Sequence, residues 1–312
     1  MAAFNLTLSD STTFILMGIP GLEAAHLWIS IPLSMFYVIG LLGNFMILFV
    51  VGKEVTLHKP MYLLICMLAL TDIGMPTSIV PRALFIFWFN LKLITLGGCL
   101  TQMFFIHLVS VMHSAVLVTM AFDRYVAICN PLRYTTIVTN TQIAKLGLMA
   151  LIKAILFILP LPLLLSSLPF CANHIIPHTF CEHIGFAKLS CGDITVNRIY
   201  SLVIAFLVTG LDLMLIILSY GLIMRAVVRI SSKKAHQKTL STCTAHVCVI
   251  LASYIPGLFS TLMHRFGQDM APHTHIILAN FYFLLPAMLN PIIYGMKTKE
   301  LRDKMGQYTF SR

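Results

Sequence analysis

An Asp, an Arg and a Tyr stand side by side at Asp123-Arg124-Tyr125, directly after a long uncharged stretch. No Asp, Glu, Lys or Arg occurs from Leu96 to Phe122. Because ionised side chains are costly inside a bilayer, the first charges of a membrane helix are expected where it meets water. An Asp beside an Arg there can hold the guanidinium in a local ion pair until a partner offers a stronger interaction. The alternative is a charge pair that only marks the membrane edge.

Arg265 is a second residue with recognition chemistry, since its guanidinium is a planar fork that matches a carboxylate. Thr261 and Leu258 lie four and seven residues earlier, on the same face of a helix. Arg265 lies eleven residues after Tyr254, a distance of about 16 Å along a helix, and the residues between them are mostly apolar. A cation above an apolar wall suits a ligand with an acid head and an alkyl tail. The alternative is an ordinary arginine paired with Asp269 or another loop carboxylate, Glu182.

His107 follows Cys99 by eight residues and can add a hydrogen-bond donor to the same site. Its alternative is a core histidine whose ring is satisfied by a neighbour. The predicted contacts for an alkyl tail are Leu108, Val111, Val203 and Phe206.

Composition excludes most soluble classes of protein. The chain has 312 residues, of which 58% are hydrophobic and 10% charged, and its mean hydropathy is +0.90. Soluble domains contain about 25% charged residues. The residues discussed above must therefore be held by membrane helices.

Seven apolar stretches are long enough to cross a bilayer, which needs about 20 residues each. We predict an all-α membrane protein, a seven-helix bundle. The stretches are Trp28 to Val51, Met61 to Phe89, Leu96 to Phe122, Leu146 to Phe170, Ile199 to Met224, Leu240 to Met263 and Thr274 to Met296.

The distribution of Lys and Arg predicts the orientation. With the N-terminus outside, 15 of the 21 basic residues lie in the cytoplasmic loops and tail. We therefore expect an extracellular tail over 1–27, a bundle over 28–296 and a cytoplasmic segment over 297–312 in a plasma-membrane protein. In that last segment Leu301, Met305 and Tyr308 have the spacing of a short amphipathic helix. Asn5 begins a glycosylation sequon in the outer tail.

This topology places four of the eight cysteines, Cys99, Cys171, Cys181 and Cys191, on the outer side. Four cysteines allow three disulfide connectivities, and bridges are expected only outside. Pairing Cys99 with Cys181 would attach the long loop to the third helix and leave Cys171 with Cys191. The alternative is four thiols or a metal site. A bridged Cys181 is no longer a thiolate ligand, so we expect no metal.

An ordered set of motifs resembles the rhodopsin-like G-protein-coupled receptors, and among them the olfactory receptors. The motifs are Gly43-Asn44, Pro60-Met61-Tyr62, Asp72, Met120 to Cys129, Pro131-Leu132-Arg133-Tyr134, Ser219-Tyr220, Lys234-Ala235, Ser241-Thr242-Cys243, His246 and Pro291-Ile292-Ile293-Tyr294-Gly295. Two further segments, Ile19-Pro20-Gly21-Leu22-Glu23 and His264-Arg265-Phe266-Gly267, look like the class I branch, and most like its family fifty-two.

The resemblance implies an odorant receptor that activates a stimulatory heterotrimeric G protein. Arg124 would be held by Asp123 at rest, and would meet the G-protein α-subunit when the sixth helix swings outward. Tyr220, His246 and Tyr294 would be its inner partners, with a satisfied buried histidine as the alternative for His246.

Class I members are associated with water-soluble acids, which favours a carboxylic acid as the ligand of Arg265. Ile184 lies three residues after Cys181, where some acid-sensing relatives have a polar residue. This replacement favours a longer, more apolar ligand, a medium-chain fatty acid. The alternative is a neutral hydrophobic odorant or another small molecule, with Arg265 structural.

Other functional classes fit the sequence less well. A light-sensing opsin needs a Schiff-base Lys in the seventh helix, and Thr274 to Met296 contains none. A transporter would show inverted repeats, which the sequence lacks. The histidines within the helices, His107, His113 and His246, lie at different depths, so we expect neither an enzyme nor a cofactor. An adhesion protein would not need the inner polar motifs.

Overall fold

A computed structural model describes residues 13–171, 174–229, 232–266 and 271–310. The side chains at 234, 235, 238, 259–266, 272, 309 and 310 are not described. The predicted glycosylation site, Asn5, therefore lies outside the described residues.

Helices make up most of the described chain. They are α1 (His26–Lys53), α2 (Pro60–Thr77), α3 (Val80–Phe89), α4 (Leu96–Cys129), α5 (Tyr134–Ile137), α6 (Asn140–Ile158), α7 (Pro160–Ser166), α8 (His183–Ala187), α9 (Thr195–Ala205), α10 (Leu211–Val227), α11 (Lys233–Phe266), α12 (Pro272–Lys297) and α13 (Lys299–Phe310). Three short strands accompany them: β1 (Thr13–Leu16), β2 (Leu93–Thr95) and β3 (Ile175–Ile176).

Seven helical segments of the described chain are long and apolar enough to cross a membrane, which confirms the predicted fold class. The first span is α1, the third is α4, the sixth is α11 and the seventh is α12. The second span is α2 followed by α3, and the fourth is α6 followed by α7. The fifth consists of α9 and α10, joined by a π-helical turn at Phe206–Gly210.

Proline explains both interrupted spans. Pro81 cannot donate to the carbonyl four residues earlier, and α3 begins next to it, at Val80. Pro160 begins α7 in the same way. The resulting bends lie in the halves of the second and fourth spans that face the disulfides.

The helices continue beyond the apolar stretches at several ends. The third span runs to Cys129, so that Asp123 and Arg124 lie within the helix. The fourth span starts at Asn140, where the Thr139 hydroxyl caps the helix by accepting from the Gln142 N–H at 3.2 Å. It ends at Ser166, four residues before the predicted Phe170, because Pro169 disfavours helix at the residue before it.

One end of the bundle, here called the disulfide end, carries a small sheet and both disulfides. β1 pairs antiparallel with β2 and parallel with β3. Phe14 and Leu16 of β1 are fully buried there. The disulfides join Cys99 to Cys181 and Cys171 to Cys191, with Cα–Cα distances of 5.5 and 5.9 Å. Both predicted bridges are therefore confirmed.

The opposite end, here called the basic end, carries the C-terminal helix α13. Leu301 is fully buried in the core, and Met305 packs against the same cluster. The Tyr308 hydroxyl donates to Glu54 at 2.9 Å, and its ring meets that of Phe49 edge-on. The short C-terminal helix is confirmed, and its three predicted apolar positions all contact the bundle.

Candidate functional site

Asp123 and Arg124 lie close to the end of the third span, at the basic end. Asp123 is 2% exposed, and its Oδ2 lies 4.0 Å from the Arg124 Nε. Its other oxygen, Oδ1, accepts a hydrogen bond from the Tyr134 hydroxyl at 2.7 Å. Arg124 Nη2 donates to the sulfur of Met61 at 2.8 Å. A thioether is a weak acceptor. Asp123 is therefore the stronger of the two partners, and it is the only acidic partner of this guanidinium in the described chain.

A second pair at the basic end joins the fifth and sixth spans. The Tyr220 hydroxyl and Nδ1 of His246 lie 2.6 Å apart. His246 is 2% exposed, and its Nε2 is buried with no partner among the described residues. Tyr125 packs against the same cluster as Tyr220. On the seventh span, the Tyr294 hydroxyl lies 4.0 Å from the sulfur of Met120. All the predicted switch residues therefore gather around the end of the third span.

Buried polar groups connect four spans near the middle of the bundle. Asp72 accepts from Nδ2 of Asn290 at 2.8 Å, and its Oδ1 lies 3.5 Å from Nδ1 of His113. The same Nδ1 lies 3.0 Å from the Thr71 hydroxyl, and His113 Nε2 lies 3.0 Å from the Ser253 hydroxyl. The second, third, sixth and seventh spans thus share one polar cluster, which we call the Asp72 cluster.

A neighbouring cluster connects the third, fifth and sixth spans. The Ser114 hydroxyl donates to Oδ2 of Asp212 at 2.5 Å and lies 2.5 Å from the Tyr254 hydroxyl. Asp212 is 5% exposed. A carboxyl group buried between membrane helices needs such partners, because a carboxyl group without hydrogen bonds is costly to desolvate.

At the disulfide end, two histidines come together. His107 of the third span bonds through Nδ1 to the Met103 carbonyl at 2.8 Å. Its ring centroid lies 6.5 Å from that of His183, in the loop between the fourth and fifth spans. His183 is 2% exposed, and neither of its ring nitrogens bonds to a group of the described residues. Burial, aided by the nearby His107, lowers the pKa of His183 to about 4.

The disulfide and a helix cap hold His183 in place. Cys181, two residues earlier, is bridged to the third span, and its N–H donates to Oε1 of Gln102 at 3.0 Å. Glu182 caps α8 by accepting from the N–H groups of Ile184 and Gly185 at 3.2 and 2.5 Å. This loop carboxylate, considered above as a partner for Arg265, thus accepts from the backbone, and the side chain of Arg265 lies outside those described.

The remaining predicted ligand contacts do not all meet at one place. Val111 is buried with Ile204 and Val208 of the fifth span, and Leu108 packs against this cluster. Val203 and Leu258 are 46% and 42% exposed. Phe206 is 71% exposed, too open for the wall of an enclosed pocket. Thr261 and Arg265 belong to the last turns of α11, and their side chains lie outside those described.

Comparison with known proteins is decisive for the family. Residues 33–311 match the model of the family described as Olfactory receptor. The chain is 51% identical to human olfactory receptor 52P1 over 305 residues, which cover 98% of this chain and 95% of the relative. It is 50% identical to human olfactory receptor 52N4 over 304 residues, covering 97% and 95%. The chain belongs to the olfactory receptor family. The resemblance to family fifty-two is confirmed.

Membership establishes the coarse function of this olfactory receptor. It is a G-protein-coupled receptor of the plasma membrane that crosses the bilayer seven times, binds small odorants and couples to G proteins. It is not an enzyme.

Sequence reasoning missed several polar residues of the receptor. His183 was not assigned to the ligand site, because its burial depends on how the disulfide folds the loop. Ser114 and Tyr254 were not assigned to Asp212, since helix rotation decides which side chains meet. The available signal was the adjacent pair His113-Ser114, which places two polar groups on neighbouring faces of an apolar helix.

Proposed function

We propose that this receptor detects a carboxylic acid, a medium-chain fatty acid, at the disulfide end of the bundle and activates a stimulatory heterotrimeric G protein. The observation that carries the ligand assignment is His183, a buried imidazole beside His107 whose two nitrogens bond to none of the described residues. Leaving a buried polar group unsatisfied costs about 1–3 kcal/mol. A ligand oxygen that bonds to this ring removes that cost.

The chemistry of the surrounding residues favours an acid. Arg265 belongs to the last turn of α11, which ends on the side of the bundle where His183 lies. A guanidinium and the His183 imidazole supply donors for the lone pairs of a carboxylate, whereas the N–H of His107 is already donated through Nδ1 to the Met103 carbonyl. Leu108 and Val111, one and four residues beyond His107 on the third span, offer apolar surface for an alkyl chain.

The arrangement of charges supports the direction of signalling. By sequence, 15 of the 21 basic residues fall at or between the span ends on the side of Arg124, and the positive-inside rule then favours a cytoplasmic position for this end and an extracellular N-terminus. Arg124 then faces the G protein. Asp123 holds it at rest, and the bond between His246 of the sixth span and Tyr220 of the fifth is one that an outward movement of the sixth span would break. Tyr294 of the seventh span lies beside Met120 of the third, near the same end.

Cyclic AMP measured in cells that express the receptor tests the ligand assignment. Decanoic acid should raise cyclic AMP, whereas decanol should be at least tenfold weaker. Arg265→Ala should abolish the response while surface expression persists, because truncating one partner of a buried charge pair costs about 2–5 kcal/mol. Arg198→Ala, an exposed arginine of α9, is the matched control and should respond normally.

Two results would contradict the acid assignment. One is an unchanged dose–response curve in Arg265→Ala, and the other is equal potency of the acid and the alcohol. Either would leave a receptor for a neutral odorant with a structural Arg265. The G-protein assignment is tested separately, in cells that lack stimulatory α-subunits. The response should vanish there and return when the subunit is added.

A further inference from the structure

A groove between the second and third spans opens at the disulfide end. Its volume is about 330 Å³, and its lining residues are Ser78, Arg82, Ile94, Gly98, Thr101, Gln102 and Phe105. None of them belongs to the site proposed for the odorant. The volume lies near the lower end of ligand pockets, which span about 300–1,000 Å³, so the groove has room for one small head group or a single chain.

Arg82 gives the groove a positive charge. Its Nη2 donates to the Leu93 carbonyl, which holds the guanidinium at the rim. Its Nε is buried and bonds to no group among the residues that the structure describes. In the described part of the chain, no carboxylate forms an ion pair with Arg82. Because a half-buried cation without a counter-charge is unfavourable, this position favours an anion.

The other lining residues form a polar rim at one end of the groove and an apolar exit at the other. Gln102 is already occupied, since its Nε2 donates to the Ser78 carbonyl at 2.9 Å and its Oε1 accepts from Cys181. Thr101 is exposed and places its hydroxyl at the rim of the groove, which Arg82 also lines. Phe105, one turn further along the third span, is 48% exposed on the outside of the bundle. The groove therefore leads from a cation towards the hydrocarbon of the bilayer.

We propose that this groove is a second, lipid-facing site for a single-chain carboxylate amphiphile. The carboxylate pairs with Arg82, and the hydrocarbon chain leaves along Phe105 into the leaflet at the disulfide end. Anionic phospholipids share this chemistry. The small volume favours one chain and a compact head group over a two-chain lipid.

Photolabelling of the purified full-length receptor in phosphatidylcholine nanodiscs tests the site. The probe is palmitic acid with a diazirine in its chain, and labelled peptides are mapped by mass spectrometry. We expect labelling around Phe105, and at least tenfold less with Arg82→Gln, because a charge-assisted pair contributes about tenfold or more in affinity. The matched control Arg198→Gln removes an exposed arginine at the same end and should label normally.

A second variant separates binding from folding. Thr101→Phe fills the groove and leaves the Arg82–Leu93 hydrogen bond intact, so it should also lose labelling while eluting as a monodisperse receptor. Thr101→Ser should retain labelling. Arg265→Ala should label normally, which makes this test independent of the odorant assignment.

Three results would overturn the proposal. The first is equal labelling of the wild-type receptor and Thr101→Phe. The second is equal labelling by the diazirine derivative of hexadecanol, which would show that the carboxylate is not recognised. The third is complete displacement of the probe by an equal mole fraction of phosphatidylglycerol, which would assign the groove to a phospholipid.

Discussion

Replacing His183 should change how the stability of the receptor depends on pH. Burial lowers the pKa of His183 from an ordinary 6.5 to about 4. As the pH falls below 6.5, the unfolded chain takes up this proton and the folded receptor does not. Because the unfolded state then binds more protons, the free energy of unfolding must decrease as the pH is lowered from 6.5 to 4. Above that window the group has no effect.

The two pKa values set the size of the effect. Between pH 7 and pH 5, linkage predicts that His183 alone lowers the free energy of unfolding by about 2 kcal/mol. His183→Gln keeps a neutral polar side chain and cannot take up the proton. Between pH 7 and pH 5 the free energy of unfolding of the wild-type receptor should therefore decrease by about 2 kcal/mol more than that of this variant. The corresponding additional decrease in the thermal unfolding midpoint is on the order of 4 °C.

Thermal challenge followed by size-exclusion chromatography measures this difference in detergent at both pH values. His174→Gln controls for the loss of another imidazole from the same loop. Under the proposed function, saturating decanoate should reduce the pH penalty of the wild-type receptor, because a bound carboxylate favours the protonated ring. Decanol should not. If the wild-type receptor and His183→Gln lose stability in parallel, His183 is not the isolated buried group described above.

Three further perturbations probe other parts of the structure. Gly43→Ala places a Cβ 2.9 Å from the Pro291 ring and should destabilise the receptor by about 1–3 kcal/mol, whereas Gly52→Ala meets nothing within 4 Å and should be neutral or slightly stabilising in the same melting assay. Replacing both Cys171 and Cys191 by Ser opens a 20-residue loop and should cost about 3 kcal/mol, seen as lower thermal stability and surface expression than in the matched control Cys248→Ser. Asn5→Gln should remove a glycosidase-sensitive mobility shift, and a shift that persists in this variant would show that the sugar is attached to another residue.

The sequence was sufficient for features that depend on composition along the chain. The seven spans follow from the length of the apolar stretches, since a bilayer fixes the length that a helix needs. Topology sorts the cysteines by side and reduces the disulfides to three connectivities, of which the structure has the one that attaches the long loop to the third helix. The neighbours of Arg124 lie in short motifs at the same end of the bundle, so their approximate depth was predictable.

Features that depend on helix rotation or on loop shape were not predictable. Val203 and Phe206 were chosen by depth alone, and the fifth span turns both towards its exposed side. The burial of His183 requires the loop path set by the Cys99–Cys181 bridge. The strand Thr13–Leu16 is too short for its pattern to indicate a sheet, and its partners come from distant loops.

Three polar contacts of the sixth span reach other spans of the bundle. Ser253 meets His113, Tyr254 meets Ser114, and His246 meets Tyr220. An outward movement of this span must break some of these contacts, and each contributes about 0.5–1.5 kcal/mol. Removing one that exists only at rest should therefore raise the population of the active state about two- to tenfold.

Ser253→Ala makes this argument testable through basal cyclic AMP. The Ser253 hydroxyl bonds both to the Val249 carbonyl of its own helix and to His113 across the bundle. Thr244→Ala is the matched control, because the Thr244 hydroxyl bonds only within its own helix, to the Leu240 carbonyl at 2.8 Å. At equal surface expression, Ser253→Ala should raise basal cyclic AMP and Thr244→Ala should not. Equal basal levels in both variants would mean that the contact with His113 persists when the sixth span moves, and that the Asp72 cluster stabilises the fold without biasing the switch.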